Sequence, residues 1–217
     1  MNNLFSGIYN VYDFLFVKGG PVDYLIFLCS LIGVTIFIER LIFLRNSRNK
    51  SKDFLPAMKE LYTTEGVKSA YRYCNLNPSI ISNIFKVGLR NADKASSELR
   101  AIIESAGNLE IRKLEKNLVA LATLGGISPL LGFLGTVSGM IKVFMVIEAQ
   151  GGSVNASVLA GGIWEAMITT AFGLCVAIPL NLFYNYLLGK VEQHIFEIEE
   201  SSIELLDILT KRESNEI

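Results

Sequence analysis

The chain contains Ser128-Pro129-Leu130-Leu131-Gly132-Phe133-Leu134-Gly135-Thr136-Val137-Ser138-Gly139-Met140, an uncharged stretch rich in small residues. It lies in an uncharged run from Asn117 to Ile141, long enough at about 1.5 Å per residue to cross a hydrocarbon core of about 30 Å. Glycine costs a helix about 1 kcal/mol per residue, and membrane helices accept that cost where a neighbouring helix approaches closely. The stretch therefore predicts a transmembrane helix in close contact with another.

The composition is that of a membrane protein. The chain has 217 residues, of which 51% are hydrophobic and 19% charged, with a formal net charge of -1. Its charges are segregated from the apolar runs, and the near-neutral balance gives no indication of nucleic-acid binding. The three cysteines, Cys29, Cys74 and Cys175, are far apart and have neither a disulfide framework nor zinc spacing. The sequence thus predicts no metal and no cofactor.

The predicted fold class is an all-α integral membrane protein with three transmembrane helices, two of them extended into a cytoplasmic helical domain. The predicted spans are 22–44, 117–147 and 158–189. The predicted remainder is an interfacial amphipathic helix at 1–18, a cytoplasmic helical domain at 45–116, a periplasmic loop at 148–157 and a cytoplasmic helical tail at 190–217.

Basic residues predict the orientation of the spans. Arg45, Arg48 and Lys50 follow the first span, Lys116 precedes the second, and Lys190 follows the third. Because positive charge collects on the cytoplasmic side, we expect the N-terminus outside and the C-terminus inside.

The polar segments are predicted to be helical. Amphipathic patterns predict helices from about Ser51 to Tyr62, from Gly66 to Cys74 and again after Pro78. A longer helix is expected to begin near Ser96 and to run uninterrupted into the second span, with the C-terminal tail packed on it. Its predicted apolar stripe comprises Leu99, Ile102, Ile103, Ala106, Leu109, Leu114 and Leu118.

Polar residues of the second and third spans can be compared in depth because the two spans run antiparallel. Lys142 and Glu165 end the uncharged runs on the same outer side. Thr136 and Thr170 both lie about 8–9 Å beneath that charged layer. Glu165 is either the acidic group at the mouth of a proton or cation path, with the two hydroxyls deeper in, or an interfacial residue that is simply hydrated or paired with Lys142. Spacing alone favours Thr169, four residues after Glu165, over Thr170 as the threonine that shares its face.

Small residues and prolines are predicted to shape the contact between these spans. Pro129 and Pro179 lack the N–H that a helix needs, so each frees a carbonyl that a neighbour must satisfy. The predicted helix-packing residues are Gly132, Gly135, Gly139, Pro129, Gly173 and Pro179.

Two long motifs carry a resemblance to a known family. They are Leu130–Met140, quoted above, and Gly162-Ile163-Trp164-Glu165-Ala166-Met167-Ile168-Thr169-Thr170-Ala171-Phe172-Gly173-Leu174, followed by Ala177-Ile178-Pro179. The sequence resembles the MotA/TolQ/ExbB proton-channel family, closest to the ExbB/TolQ branch. Phe133 stands where that family usually has Leu.

The resemblance implies a multi-pass protein of the bacterial inner (plasma) membrane. It implies a homopentamer whose second and third spans line a pore around an ExbD/TolR-like single-span partner, together with a TonB/TolA-like protein. It assigns Glu165 to the pore mouth and Thr136 and Thr170 to the pore, which selects Thr170 where spacing favours Thr169.

The functional hypothesis is a proton-channel or motor subunit that uses the proton-motive force to energise outer-membrane transport or envelope processes. The alternative is a non-conducting membrane scaffold that positions a partner helix. An enzyme is not expected, because the sequence has no paired catalytic Asp, His cluster or Ser/His arrangement. The residues leave open whether the pathway is of the ExbB or TolQ type, and whether the ion is a proton or sodium.

Overall fold

The computed structural model describes residues 20–49, 54–151 and 156–215. Regular secondary structure in these ranges is α-helical, as predicted. The helices are α1 (Pro21–Asn49), α2 (Phe54–Glu65), α3 (Val67–Leu76), α4 (Ile80–Arg90), α5 (Ser96–Glu115), α6 (Leu118–Ala149) and α7 (Ala156–Asn215). The predicted interfacial helix 1–18 and most of the centre of the predicted loop 148–157 lie outside the described residues.

Three stretches of the described chain are long and apolar enough to cross a membrane. They are Pro21–Ser47, Ser96–Ala149 and Leu159–Thr210. Each overlaps one of the predicted spans, so the helical class and the number of membrane-crossing candidates agree with the sequence prediction.

The chain divides into two compact units. The first, here called the membrane unit, comprises residues up to Ile38 together with Asn117–Asn185. The second, the polar unit, comprises Glu39–Lys116 and the residues from Tyr186 onward.

Large apolar side chains form the core of the polar unit. Phe54 of α2 and Phe85 of α4 are 2% and 1% exposed, and their rings meet edge to face with centroids 5.6 Å apart. At the start of α4 the side chain of Ser79 accepts a hydrogen bond from the Ser82 backbone N–H at 3.0 Å, and Ser82 Oγ accepts one from the Ser79 N–H at 2.8 Å. This capping box satisfies two backbone donors and fixes the start of α4.

The C-terminal part of α7 packs on α5, as the sequence predicts. Gly107 of α5 lies against Ile198, since a Cβ at this glycine would be in ordinary van der Waals contact with the Ile198 side chain at 3.5 Å. The predicted stripe of α5 is wrong at one position, because Leu109 is 59% exposed. Glu110 is buried in its place, and accepts hydrogen bonds from Asn83 Nδ2 at 3.2 Å and Lys113 Nζ at 2.6 Å.

The predicted continuous helix from Ser96 into the second span is also interrupted. α5 ends at Glu115 and α6 begins at Leu118, and Asn117 between them has a φ of 64°. Asn tolerates this left-handed conformation better than most residues, so the interruption needs no glycine or proline.

Arg40 lies buried where α1 enters the polar unit. It donates to both carboxylate oxygens of Glu39, at 2.7 and 2.8 Å, and to the Lys113 carbonyl oxygen at 3.0 Å. The guanidinium thus donates to a carbonyl in the last turn of α5, where carbonyls run out of partners within the helix.

Candidate functional site

Helices α6 and α7 pack within the membrane unit through glycines on both helices. A Cβ at Gly132 would lie 3.0 Å from the Thr169 carbonyl oxygen, and one at Gly139 would lie 2.9 Å from the Ala166 Cβ. On the other helix, a Cβ at Gly173 would lie 2.7 Å from the Ser128 carbonyl oxygen. The two backbones therefore approach more closely than side chains would permit.

A cluster of hydroxyl and carbonyl groups lies at this contact. The hydroxyls of Thr136 on α6 and Thr170 on α7 are hydrogen-bonded to each other. Thr136 Oγ1 also contacts the Ala166 carbonyl oxygen at 3.1 Å, and Thr170 Oγ1 contacts the Gly132 carbonyl oxygen at 3.0 Å. We call these two threonines with their two carbonyls the hydroxyl cluster. It brings together two of the three residues that the family resemblance assigns to a pore.

Thr169 has a different environment from Thr170. Thr169 is 1% exposed and packs against Gly135, where an added Cβ would lie 2.7 Å from the Thr169 Cβ. Thr170 is half-buried and reaches Thr136. Thr170, not Thr169, is therefore the hydrogen-bond partner of Thr136. The preference from spacing for Thr169 as the threonine that shares the face of Glu165 remains a prediction, because the Glu165 side chain lies outside the described part of the chain.

The predicted mouth residues are described only in part. Glu165 belongs to α7, but its side chain lies outside the described part of the chain, so the predicted ion pair with Lys142 remains a prediction. Lys142 is exposed and lines a cavity of about 290 Å³ in the membrane unit. Pro21, Ser138 and Thr169 line the same cavity, so a cation stands at the edge of a mainly apolar recess.

The two prolines are found inside helices. Pro129 cannot donate to the carbonyl of Gly125 four residues earlier, and Asn181 Nδ2 of α7 approaches that carbonyl oxygen at 3.5 Å. A neighbouring helix thus supplies the donor that the sequence analysis expects. Pro179 lies within α7 at an exposed position. Asn181 was not among the predicted site residues, although its amide in an apolar run is a visible signal.

Asp23 is a second residue that the sequence analysis did not single out. It lies in the first turn of α1 and has no solvent exposure. Because burial of an ionisable side chain in a membrane-crossing helix costs free energy, a fully buried acid at the end of such a helix is a candidate functional residue.

These features define a class of protein, namely a multi-pass membrane protein with a glycine-packed, antiparallel helix pair that carries hydroxyl groups. Residues 77–200, more than half of the chain, match the MotA/TolQ/ExbB proton channel family. The chain belongs to that family, and within it to the ExbB/TolQ branch.

Three relatives illustrate the match. A Methanothermobacter thermautotrophicus protein described as an ExbB homolog is 33% identical over 190 residues, 85% of this chain and 66% of the relative. The biopolymer transport protein ExbB of Aquifex aeolicus is 38% identical over 96 residues, 44% of this chain and 64% of the relative. The Tol-Pal system protein TolQ of Haemophilus influenzae is 29% identical over 195 residues, 82% of this chain and 84% of the relative. The chain thus spans slightly less than two thirds of the first two relatives.

Proposed function

We propose that the chain is the proton-conducting subunit of a membrane motor that uses the proton-motive force to energise transport or envelope processes. The observation that carries the proposal is the hydroxyl cluster of Thr136 and Thr170 at the glycine-packed contact of α6 and α7, in a chain of the proton channel family. In this proposal α6 and α7 line the pathway in a homopentamer of the inner membrane, with the N-terminus outside.

A partner must supply the group that carries the proton. The sequence has no Asp or Glu from Asn117 to Val146 or from Ala166 to Val191, so neither α6 nor α7 offers a carboxylate at mid-membrane depth. A single-span ExbD/TolR-like protein in the pathway would supply a carboxylate, which the threonine hydroxyls would stabilise when it is ionised. In such an assembly a TonB/TolA-like protein would receive the motion.

The available work is sufficient for such a machine. One charge that crosses a potential of 100 mV releases about 2.3 kcal/mol. A few protons therefore supply enough energy to rotate or shift a partner helix.

The test is proton flux into liposomes that contain the chain and its ExbD/TolR-like partner, measured with a pH-sensitive dye under a fixed membrane potential. Thr136→Val with Thr170→Val should reduce flux at least about tenfold, since a loss of about 1.4 kcal/mol of transition-state stabilisation has this effect. Glu165→Ala should reduce flux to a similar extent. Thr35→Val is the matched control, because among the described residues the Thr35 hydroxyl donates only to the Leu31 carbonyl of its own helix, at 2.7 Å.

The scaffold alternative has a specific observation in its favour. Both threonine hydroxyls contact backbone carbonyls of the opposite helix, which is what a purely structural clamp requires. If the chain is a scaffold, the liposomes show no partner-dependent flux, and Glu165→Ala changes nothing. Wild-type flux both in the double threonine variant and in Glu165→Ala would remove the basis of the conducting role.

A further inference from the structure

Asn181 is a polar side chain of α7 whose contacts define its orientation. Its Nδ2 donates to the Ala177 carbonyl oxygen at 2.9 Å and to the Gly125 carbonyl oxygen of α6 at 3.5 Å. Gly125 leaves room for this amide, since a Cβ there would lie 3.1 Å from it. The contact therefore requires both the glycine and the carbonyl that Pro129 leaves without an N–H donor.

The two carbonyls determine which way the amide points. Carbonyl oxygens only accept hydrogen bonds, so the NH₂ group must face them. The amide oxygen Oδ1 takes no part in these two contacts, and it accepts no hydrogen bond from the described residues. It lies beside α6, since a Cβ at Gly125 would be 3.1 Å from Oδ1 as well as from Nδ2. Asn181 as a whole is exposed in the described chain, so this oxygen can serve as an acceptor for water at the edge of the helix contact.

Asn181 is in register with the hydroxyl cluster. It follows Thr170 by eleven residues, and its contact Gly125 precedes Thr136 by eleven residues. Eleven residues are about three helical turns, or about 16.5 Å along the axis, and return to within about 20° of the same face. Thr170 and Asn181 on α7 are thus separated by the same interval as Thr136 and Gly125 on α6.

We propose that Asn181 forms a second polar station on the ion pathway, three turns from the hydroxyl cluster. Its Oδ1 accepts a hydrogen bond from water or from a hydrated proton that moves between the cluster and the end of α7 nearer Lys190. No covalent step is involved, because the amide neither gains nor loses a proton. This inference rests on the proposed function, since it requires that this face of α6 and α7 lines the pathway.

The alternative role for Asn181 is structural, through the carbonyl of Gly125. A double variant separates the two roles. Pro129→Ala restores the backbone N–H that satisfies the Gly125 carbonyl, so this carbonyl no longer needs the Asn181 amide. Asn181→Leu then removes only the acceptor Oδ1. The neighbouring Leu182, 64% exposed, offers a matched control as Leu182→Ala.

The experiment measures proton flux in liposomes that contain the chain and its ExbD/TolR-like partner. We expect Asn181→Leu to lower flux about tenfold, equivalent to about 1.4 kcal/mol in the barrier, with Leu182→Ala unchanged. We also expect Asn181→Leu with Pro129→Ala to conduct about tenfold less than Pro129→Ala alone. If Asn181→Leu fails to assemble, the comparison of the double variant with Pro129→Ala tests the role of Oδ1 instead.

Two outcomes overturn the inference. One is full flux in Asn181→Leu, and the other is equal flux in the double variant and in Pro129→Ala, which assigns Asn181 only the structural role. The threonine variants distinguish the levels of failure. If Thr136→Val with Thr170→Val loses flux while Asn181→Leu keeps it, only the second station is wrong. If all of them keep wild-type flux, the proposed function fails as well.

Discussion

The membrane unit and the polar unit achieve close packing by different means. In the membrane unit, glycines such as Gly132 and Gly173 bring backbones of α6 and α7 together, and an added Cβ at Gly173 would lie 2.7 Å from a backbone oxygen. In the polar unit, Phe54, Met58 and Phe85 fill the core with large side chains. The hydrophobic effect drives apolar side chains out of water, but it does not drive them out of lipid. Surface fit therefore holds the first unit together and apolar burial holds the second.

The two units also differ in the charge of their polar groups. In the membrane unit, neutral hydroxyls and the Asn181 amide contact backbone carbonyls. In the polar unit, buried Glu110 and Arg40 have charged partners in Lys113 and Glu39. A buried charge costs far more than a neutral group, so the described contacts of the α6–α7 pair use neutral donors.

The largest expected effect breaks the polar unit alone. Phe85→Ala removes a side chain that is 1% exposed, and such truncations cost about 3–5 kcal/mol. Labelling of the buried Cys74 by a maleimide, in the full chain with Cys29→Ser and Cys175→Ser, should become faster because the core opens more often. Phe196→Ala, at a position that is 67% exposed, is the control. Equal labelling rates in the two variants would contradict the burial argument.

A smaller effect tests the glycine contact. Gly173→Ala places a methyl against the backbone at Ser128 and Gly132, and overpacking of this kind costs about 1–3 kcal/mol. We expect a lower thermal midpoint in detergent, followed by the fluorescence of Trp164, the single tryptophan. Gly126→Ala should not lower it, since a Cβ there meets nothing within 4 Å. A midpoint unchanged by Gly173→Ala would show that the close approach is dispensable.

The smallest effect is a pH dependence of the polar unit. Burial raises the pKa of the Cys74 thiol from 9.0 to about 11, against the opposing charge of Lys86. Because the folded state holds this proton more tightly, the resulting stabilisation is complete below about pH 9 and is lost as the pH rises towards 11. The stability of the wild-type chain should thus fall more steeply over this interval than that of Cys74→Ala. Parallel pH profiles would refute this contribution.

Sequence periodicity was sufficient for features that depend on one helix at a time. The amphipathic patterns predicted α2, α3 and α4, and the Asn-Pro sequence at 77–78 lies between α3 and α4 as expected. Counting residues in antiparallel spans placed Thr136 and Thr170 at equal depth, and their hydroxyls are hydrogen-bonded. The pore roles of these threonines and of Glu165 stay predictions.

Features that depend on a neighbour could not be predicted in this way. Leu109 and Glu110 exchange their expected environments because α5 turns Gly107, not Leu109, towards Ile198. Asn117 adopts a left-handed backbone conformation, and no adjacent glycine or proline predicts it. The contact of Asn181 Nδ2 depends on a carbonyl in another helix that a proline leaves without its N–H donor, and no single-helix pattern contains this information.

The hydroxyl cluster has a consequence for the direction of its O–H bonds. Two hydroxyl protons are shared among the two threonine oxygens and the carbonyls of Ala166 and Gly132. Thr170 can donate to Thr136 while Thr136 donates to Ala166, or Thr136 can donate to Thr170 while Thr170 donates to Gly132. Rotation about the two C–O bonds interconverts these orders and reverses the direction of the two O–H dipoles, while every heavy atom keeps its place.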